Sequence, residues 1–220
     1  MIRALREGRK TQTRRILKEQ TASAVPGLYV DRYAKSDRWA FWLPDGRMDA
    51  PRTFACPYGE PGDRLWTREA WKTALSMDKE NATQIGERAT DAGYSRPWAP
   101  IEYSADCARS DWNVQDWGEA GRQRHARFMP RWASRDLLEV TEVRAQRVQE
   151  ISEEDAEAEG VSELDGELDE VAICAMAKRI GGCATDARVW YAVLWNQIKG
   201  PGSWESNSWV WCVSFARLAP

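Results

Sequence analysis

The chain has 220 residues, a formal net charge of −3 and 43% hydrophobic residues, which suits one large domain or two small ones with a buried core. No stretch approaches the roughly 18–20 uninterrupted apolar residues of a membrane span, and no apolar run follows the basic N-terminal segment, so a cytoplasmic protein that avoids membranes is expected. Five cysteines without a CxxC pair and a single histidine, His125, argue against a disulfide framework, a zinc ribbon, a histidine metal centre and a Ser-His-Asp hydrolase; mostly buried, reduced thiols and no metal or cofactor are expected.

In chain order, a first helix is predicted from Ile2 to about Glu7, with Ile2 and Leu5 facing inward and Gly8 as its stop. The run Gly8-Arg9-Lys10-Thr11-Gln12-Thr13-Arg14-Arg15 then concentrates one amine, two hydroxyls and three guanidinium groups, which marks a polar site rather than a core element. Residues 27–56 hold aromatic pieces at Tyr29–Tyr33 and Trp39–Leu43 with a turn signal at Pro44-Asp45-Gly46, the pattern of a hairpin. Pro61-Gly62-Asp63 turns into a strand over Leu65–Trp71. Residues 72–128 are polar and weakly periodic, a loop-bearing insertion with one short strand at Ile101–Tyr103.

Order resumes with a long strand over Leu137–Val148. Ser152 caps a helix that Gly160 closes, and a second helix is expected around Asp169–Arg179. Asp186 caps a helix through Lys199 whose stripe is Val189, Val193, Leu194 and Ile198. Period-two alternation at Trp209, Trp211, Val213 and Phe215 predicts a terminal strand. Strands with interspersed helices, and no βαβ succession or Gly-rich phosphate loop, indicate an α+β fold built on a mainly antiparallel curved sheet or small β-barrel.

Charge is segregated. Residues 1–18 carry seven Lys or Arg against Glu7 alone, Gly121–Arg135 has five Arg and no acid, and residues 150–170 carry eleven acids and no base. Such a chain either presents a basic groove to phosphates or neutralises these segments against one another; the sequence leaves both open. Of thirteen tryptophans, Trp66, Trp71, Trp190, Trp195, Trp209 and Trp211 are expected in the core, whereas Trp132 and Trp204 are candidates for stacking on bases.

Three segments, Gly8–Arg15 after an initial helix, Pro61-Gly62-Asp63-Arg64-Leu65-Trp66 before a strand, and Ser152–Val161 ahead of a terminal strand, resemble the ASCH family, a branch of the PUA-like small β-barrels. The likeness extends to the ASCH-like proteins of tailed phages and prophages. It implies one PUA-like domain with flanking helices and insertions at about 73–128 and 161–185. Some small bacterial members are acetylcytidine amidohydrolases; matching motif positions imply Lys10 as proton acceptor, Thr13 as nucleophile and Glu159 as proton donor. Arg9, Arg14, Arg15, Asp63, Arg64, Arg131 and Trp132 are the expected substrate contacts.

The chemistry is plausible on its own terms. A threonine hydroxyl needs a neighbouring base, and lysine serves only when neutral; burial and nearby arginines lower its pKa, and a close Glu159 raises it. The expected role is recognition of a nucleoside or nucleic acid, with hydrolysis of an N-acylated cytosine as its enzymatic form. The alternatives are ribonuclease activity, a non-catalytic RNA- or modified-base-binding phage protein, and a phage protein that contacts a host protein through residues 150–170.

Overall fold

The computed structural model describes residues 2–20, 26–34, 36–49, 52–110, 112–164 and 166–218. In chain order these form α1 (Ile2–Arg6), β1 (Gln12–Ile16), β2 (Tyr29–Arg32), β3 (Arg38–Trp42), β4 (Phe54–Ala55), β5 (Arg64–Trp66) and β6 (Trp71–Lys72). There follow α2 (Ala82–Asp91), β7 (Ile101–Tyr103), β8 (Arg109–Ser110), α3 (Val114–Trp117) and β9 (Leu137–Arg147). The chain finishes with α4 (Glu153–Ala158), α5 (Glu170–Ile180), α6 (Ala187–Lys199) and β10 (Trp209–Leu218). The fold is α+β, with a strongly curled antiparallel half-barrel sheet and a few flanking helices.

Two compact units divide the chain: residues 3–64 with 139–217, and residues 65–138. The main sheet has the order β1-β10-β9-β5, and β10 is its centre because its sequence is apolar on both faces. Successive side chains of a strand alternate between faces. Trp209 and Trp211 therefore face one way, where they meet Phe41, Trp39 and Phe54 of the β2-β3-β4 sheet edge-on or tilted at 5.1–5.9 Å between ring centroids. Val210 and Cys212 face the other way, into a core shared with α4, α5 and α6.

Several boundaries differ from expectation. The first hairpin is β2–β3, paired from Tyr29 opposite Trp42 to Arg32 opposite Trp39, and Pro44-Asp45-Gly46 instead turns the chain after β3 towards a bridge between Trp42 and Met48. The strand expected over Leu65–Trp71 breaks in two: Arg64–Trp66 joins the main sheet, and Trp71 pairs with Tyr103. Between them Glu69 is buried against Arg135, which donates to both of its carboxylate oxygens at 2.7 and 2.8 Å.

The second unit has its own core around Trp71, Met77, Ile85, Ile101, Tyr103 and Met129. Its helix α2 lies within the stretch expected to be loops. Asn81 accepts from Thr83 and Gln84 amides while Gln84 returns a bond to the Asn81 amide, a complete capping box. Gly86 of α2 permits close packing, since a Cβ there would stand 2.9 Å from the Trp132 indole nitrogen.

Tryptophan burial is partly as expected. Trp71, Trp195, Trp209 and Trp211 are core, Trp66 and Trp190 are half-buried, and Trp204 is core at 1% exposure rather than a stacking platform, because it packs on Tyr191 beneath α6. Ile198 is 63% exposed; the buried positions of α6 include Val189, Tyr191, Val193, Leu194 and Trp195. All five cysteines are free, and three of them, Cys107, Cys174 and Cys183, are exposed rather than buried. No helix among the described residues is long and apolar enough to cross a membrane.

Candidate functional site

The polar run after α1 is held by backbone bonds before its side chains act. Arg9 and Lys10 amides both donate to the Ala4 carbonyl, and the Thr11 amide donates to Ala158 at the end of α4, at 2.8–3.0 Å. Ser152 caps α4 by accepting from the Asp155 amide, and Gly160 leaves the helix at φ +81°. Its lack of a side chain lets Lys10 approach: a Cβ at Gly160 would be 3.3 Å from the Lys10 Cβ. Asp155 and Glu159, four residues apart, share the face of the turn that looks at β1.

That arrangement joins residues 149 positions apart. Lys10 Nζ donates to Glu159 Oε2 at 2.7 Å, to the Glu159 carbonyl at 2.6 Å and to the Gln12 carbonyl at 2.9 Å. Three donors meet three acceptors, the full capacity of an ammonium group. Burial draws the Lys10 pKa down; Glu159 pulls it up, Arg15 and Arg14 add a smaller downward push, and the balance lies below the ordinary lysine value. Glu159 is 4% exposed, and its Oε1 is buried without a hydrogen-bond partner, 3.7 Å from an Arg14 nitrogen.

Arg14 is the second anchor, 1% exposed. It donates to Gln12 Oε1 and, at 2.7 Å, to Asp155 Oδ2, and its guanidinium lies 5.8 Å from the centre of the Tyr191 ring. Asp155 also accepts from Arg144 on both oxygens at 2.7 and 2.6 Å and from Gln12 Nε2 at 3.1 Å. Burial alone would raise the Asp155 pKa, but the Gln12 hydrogen bond and the charges of Arg14 and Arg144 prevail and hold it below the ordinary aspartate value. Burial pushes the Tyr191 hydroxyl far up and the Cys212 thiol, opposite Arg14 in β10, up to about 11, so neither ionises near neutrality.

Gln12 and Arg14 share one face of β1, where Arg14 donates to Gln12 Oε1 and both side chains donate to Asp155. Thr13 and Arg15 therefore lie on the other face. There Arg15 donates to Thr13 Oγ1 at 2.7 Å. The structure thus brings Lys10 and Glu159 together, and it leaves Thr13 outside the hydrogen bonds of that pair, because Glu159 lies beside Arg14 and Thr13 is on the opposite face of β1.

The remaining expected contacts are dispersed. Arg9 is exposed and paired with Glu7. Asp63 shapes a turn, accepting from the Glu60 amide at 2.8 Å, and Arg64 is exposed. Within the second unit, Trp132 is half-buried edge-on to Trp71, so packing and not base contact occupies it. Arg131 is exposed, 6.0 Å from the centre of the Trp66 ring, and Arg68 lies 4.5 Å from the same ring. Arg127 adds a further guanidinium 4.6 Å from the half-exposed Phe128 ring.

Sequence reasoning missed Arg144, Tyr191 and the Gln12 side chain as members of the buried cluster. The spacing of Asp155 and Glu159 on one helix and the alternation of Gln12 with Arg14 were the available signals. His125, expected at the surface, is exposed and caps a short 3-10 turn by accepting the Arg127 amide at its Nδ1. Among the described residues no group of three or more His, Cys, Asp and Glu is arranged to hold a metal ion. No protein-family model matches the chain, and neither a curated protein nor a solved structure is significantly similar to it.

Proposed function

We propose that the protein binds single-stranded nucleic acid or its nucleosides, and that the second unit supplies the contact surface. The observation that carries this reading is the stack in which the guanidinium groups of Arg68 and Arg131 both lie within about 6 Å of the Trp66 ring. An indole face dressed with exposed cations offers bases a stacking partner and phosphates their counter-charges at one place. In the first unit the acids of α4 neutralise Lys10 and Arg14, which removes both from the set of free phosphate contacts.

The test is single-stranded RNA binding followed by fluorescence anisotropy over a salt series. Replacing Arg68 and Arg131 together by Ala removes two phosphate contacts, which lowers the slope of log affinity against log salt by about 1.4 for a single strand. Binding that ignores salt, or a double variant indistinguishable from wild type, defeats the proposal.

The Lys10–Glu159 pair favours a second reading, hydrolysis of an N-acylated cytosine. In the reacting form the proton of the 2.7 Å contact sits on Glu159 and Lys10 is a neutral amine; a water oxygen attacks the acyl carbonyl and the water proton passes to Lys10. Protonated Glu159 gives its proton to the departing exocyclic nitrogen, and the Lys10 proton returns to Glu159 along the 2.7 Å contact. Water takes the place of threonine on this route because the Thr13 hydroxyl is engaged by Arg15 on the other face of β1. Release of cytidine from acetylcytidine by wild type and Thr13→Ala, but not by Lys10→Met, supports this route. Loss of release in Thr13→Ala returns the nucleophile to threonine, and absence of release from wild type eliminates hydrolysis.

A further inference from the structure

The second unit carries an open-mouthed cavity of about 660 Å³, within the range of small-molecule sites and ample for a mononucleotide. Its lining includes Trp71, Asn81, Arg122, Arg124, His125 and Phe128, and no Asp or Glu lies among the described residues that line it. This cavity plays no part in the Lys10–Glu159 cluster.

Its cations are unevenly satisfied. Arg124 is 8% exposed and donates to the carbonyls of Met77 and Glu80 at 2.9 Å, while the nearest acid, Asp78, stands 4.0 Å away. Both Asp78 oxygens accept from the backbone amide of Arg122 at 3.0 Å. Among the described residues the Arg122 guanidinium has no hydrogen-bond partner and is exposed at the cavity. Burial and the neighbouring Arg122 charge both draw the Arg124 pKa down, so an anion in the cavity would relieve two cations together.

The other groups add direction and a ring surface. His125 Nδ1 accepts the Arg127 amide at 3.2 Å, which places the proton of a neutral imidazole on Nε2 as a donor for a ligand. Asn81 marks the positive end of the ten-residue α2, where the cap already occupies the first amides but the helix field still favours negative charge. Phe128, 57% exposed, presents a ring at the rim. Trp71 is fully buried in the wall, and its indole N–H is a donor without a partner.

We infer that this cavity binds a nucleoside phosphate, its phosphate held by Arg122 and His125 and its base laid against Phe128. The phosphate is either that of a free nucleotide or the terminal phosphate of a strand. The site is separate from the Arg68–Trp66–Arg131 stack and does not depend on that surface binding nucleic acid.

Calorimetric titration of the whole chain with a nucleoside monophosphate, the matching nucleoside and inorganic phosphate tests it. The monophosphate is expected to bind at least tenfold more tightly than the nucleoside. Arg122→Ala should weaken the monophosphate at least tenfold, with Arg122→Lys recovering part of the loss. Phe128→Ala should weaken the monophosphate and leave inorganic phosphate unchanged. Both sites are exposed, so unchanged circular dichroism is expected of these variants. A 5′-phosphorylated oligonucleotide that outbinds both the monophosphate and its 5′-hydroxyl counterpart identifies a strand end as the source; a free monophosphate that binds as well or better identifies the small molecule. Absence of monophosphate binding at millimolar concentration, equal affinity for nucleoside and monophosphate, or indifference to Arg122→Ala overturns the inference. Arg68→Ala with Arg131→Ala should leave monophosphate affinity intact, which separates failure of the surface proposal from failure of this one.

Discussion

Lys10→Met isolates what the buried ion pair contributes to the first unit. At 2.7 Å and an effective dielectric of 20, the attraction between Lys10 and Glu159 is on the order of 6 kcal/mol gross. Desolvation of two groups with side chains 11% and 5% exposed cancels much of that, so the net contribution is small. Breaking the pair is a different matter. Met fills most of the lysine volume but strands a buried carboxylate whose nearest remaining cation is Arg14 at 3.7 Å, at a cost of about 3–5 kcal/mol. Glu159→Gln added to Lys10→Met removes the stranded charge and should recover about 2 kcal/mol of that loss, since neither partner then carries a buried unpaired charge. Urea unfolding followed by tryptophan fluorescence measures this, fitted with a separate transition for each compact unit. With a slope of about 2 kcal/mol/M, a 3 kcal/mol loss moves the first-unit midpoint by about 1.5 M. A Lys10→Met midpoint within about 0.3 M of wild type, or losses that simply add in the double variant, would refute the description of the pair as buried and coupled.

Asp155 makes the same unit sensitive to acid. Its folded pKa lies below the ordinary 3.8, so the unfolded chain binds the proton more readily in that interval; its contribution is complete above 3.8 and is lost as pH falls through the folded value. Asp155→Asn should flatten the acid limb of a plot of urea midpoint against pH, and an unchanged limb would assign it to other carboxylates. Gly160→Ala places a side chain at φ +81° and 3.3 Å from the Lys10 Cβ, for a loss of about 1–2 kcal/mol in the same urea assay. In the second unit Asn81→Ala removes the capping box of α2 and should cost about 1 kcal/mol, read from the other transition, with the first-unit transition unmoved.

The elements legible in the sequence were those whose signal is local. The alternation of Trp209, Trp211, Val213 and Phe215 marked β10, Ser152 and Gly160 bracketed α4, and Asp169 and Asp186 marked the starts of α5 and α6. The capping box of α2 was as local as these, but Ile85 and Ala89 are too few apolar positions to announce a helix amid polar neighbours. The break at residues 67–70 was illegible because its cause is distant in sequence: Glu69 meets Arg135, 66 residues later. The meeting of Lys10 with Glu159 was anticipated through resemblance, whereas the facing of Thr13 was accessible from strand alternation once β1 was known to start at Gln12. Arg144 and Tyr191 had no local signal, since their place in the cluster depends on how β9 and α6 pack.

The pairing of β1 with β10 also sets a timetable for biosynthesis. Residues 65–138 form a contiguous unit and are complete in the nascent chain while β1 still lacks its partner. About 200 residues separate Arg14 from Cys212 opposite it, on the order of 10–40 s of translation, and until then the guanidinium has no sheet to be buried in. A ribosome that stalls in α6 would hold a finished second unit beside an open first one, with the indoles of β10 still unmade and the aromatic face of β3 uncovered. Closure of the first unit therefore waits for β10.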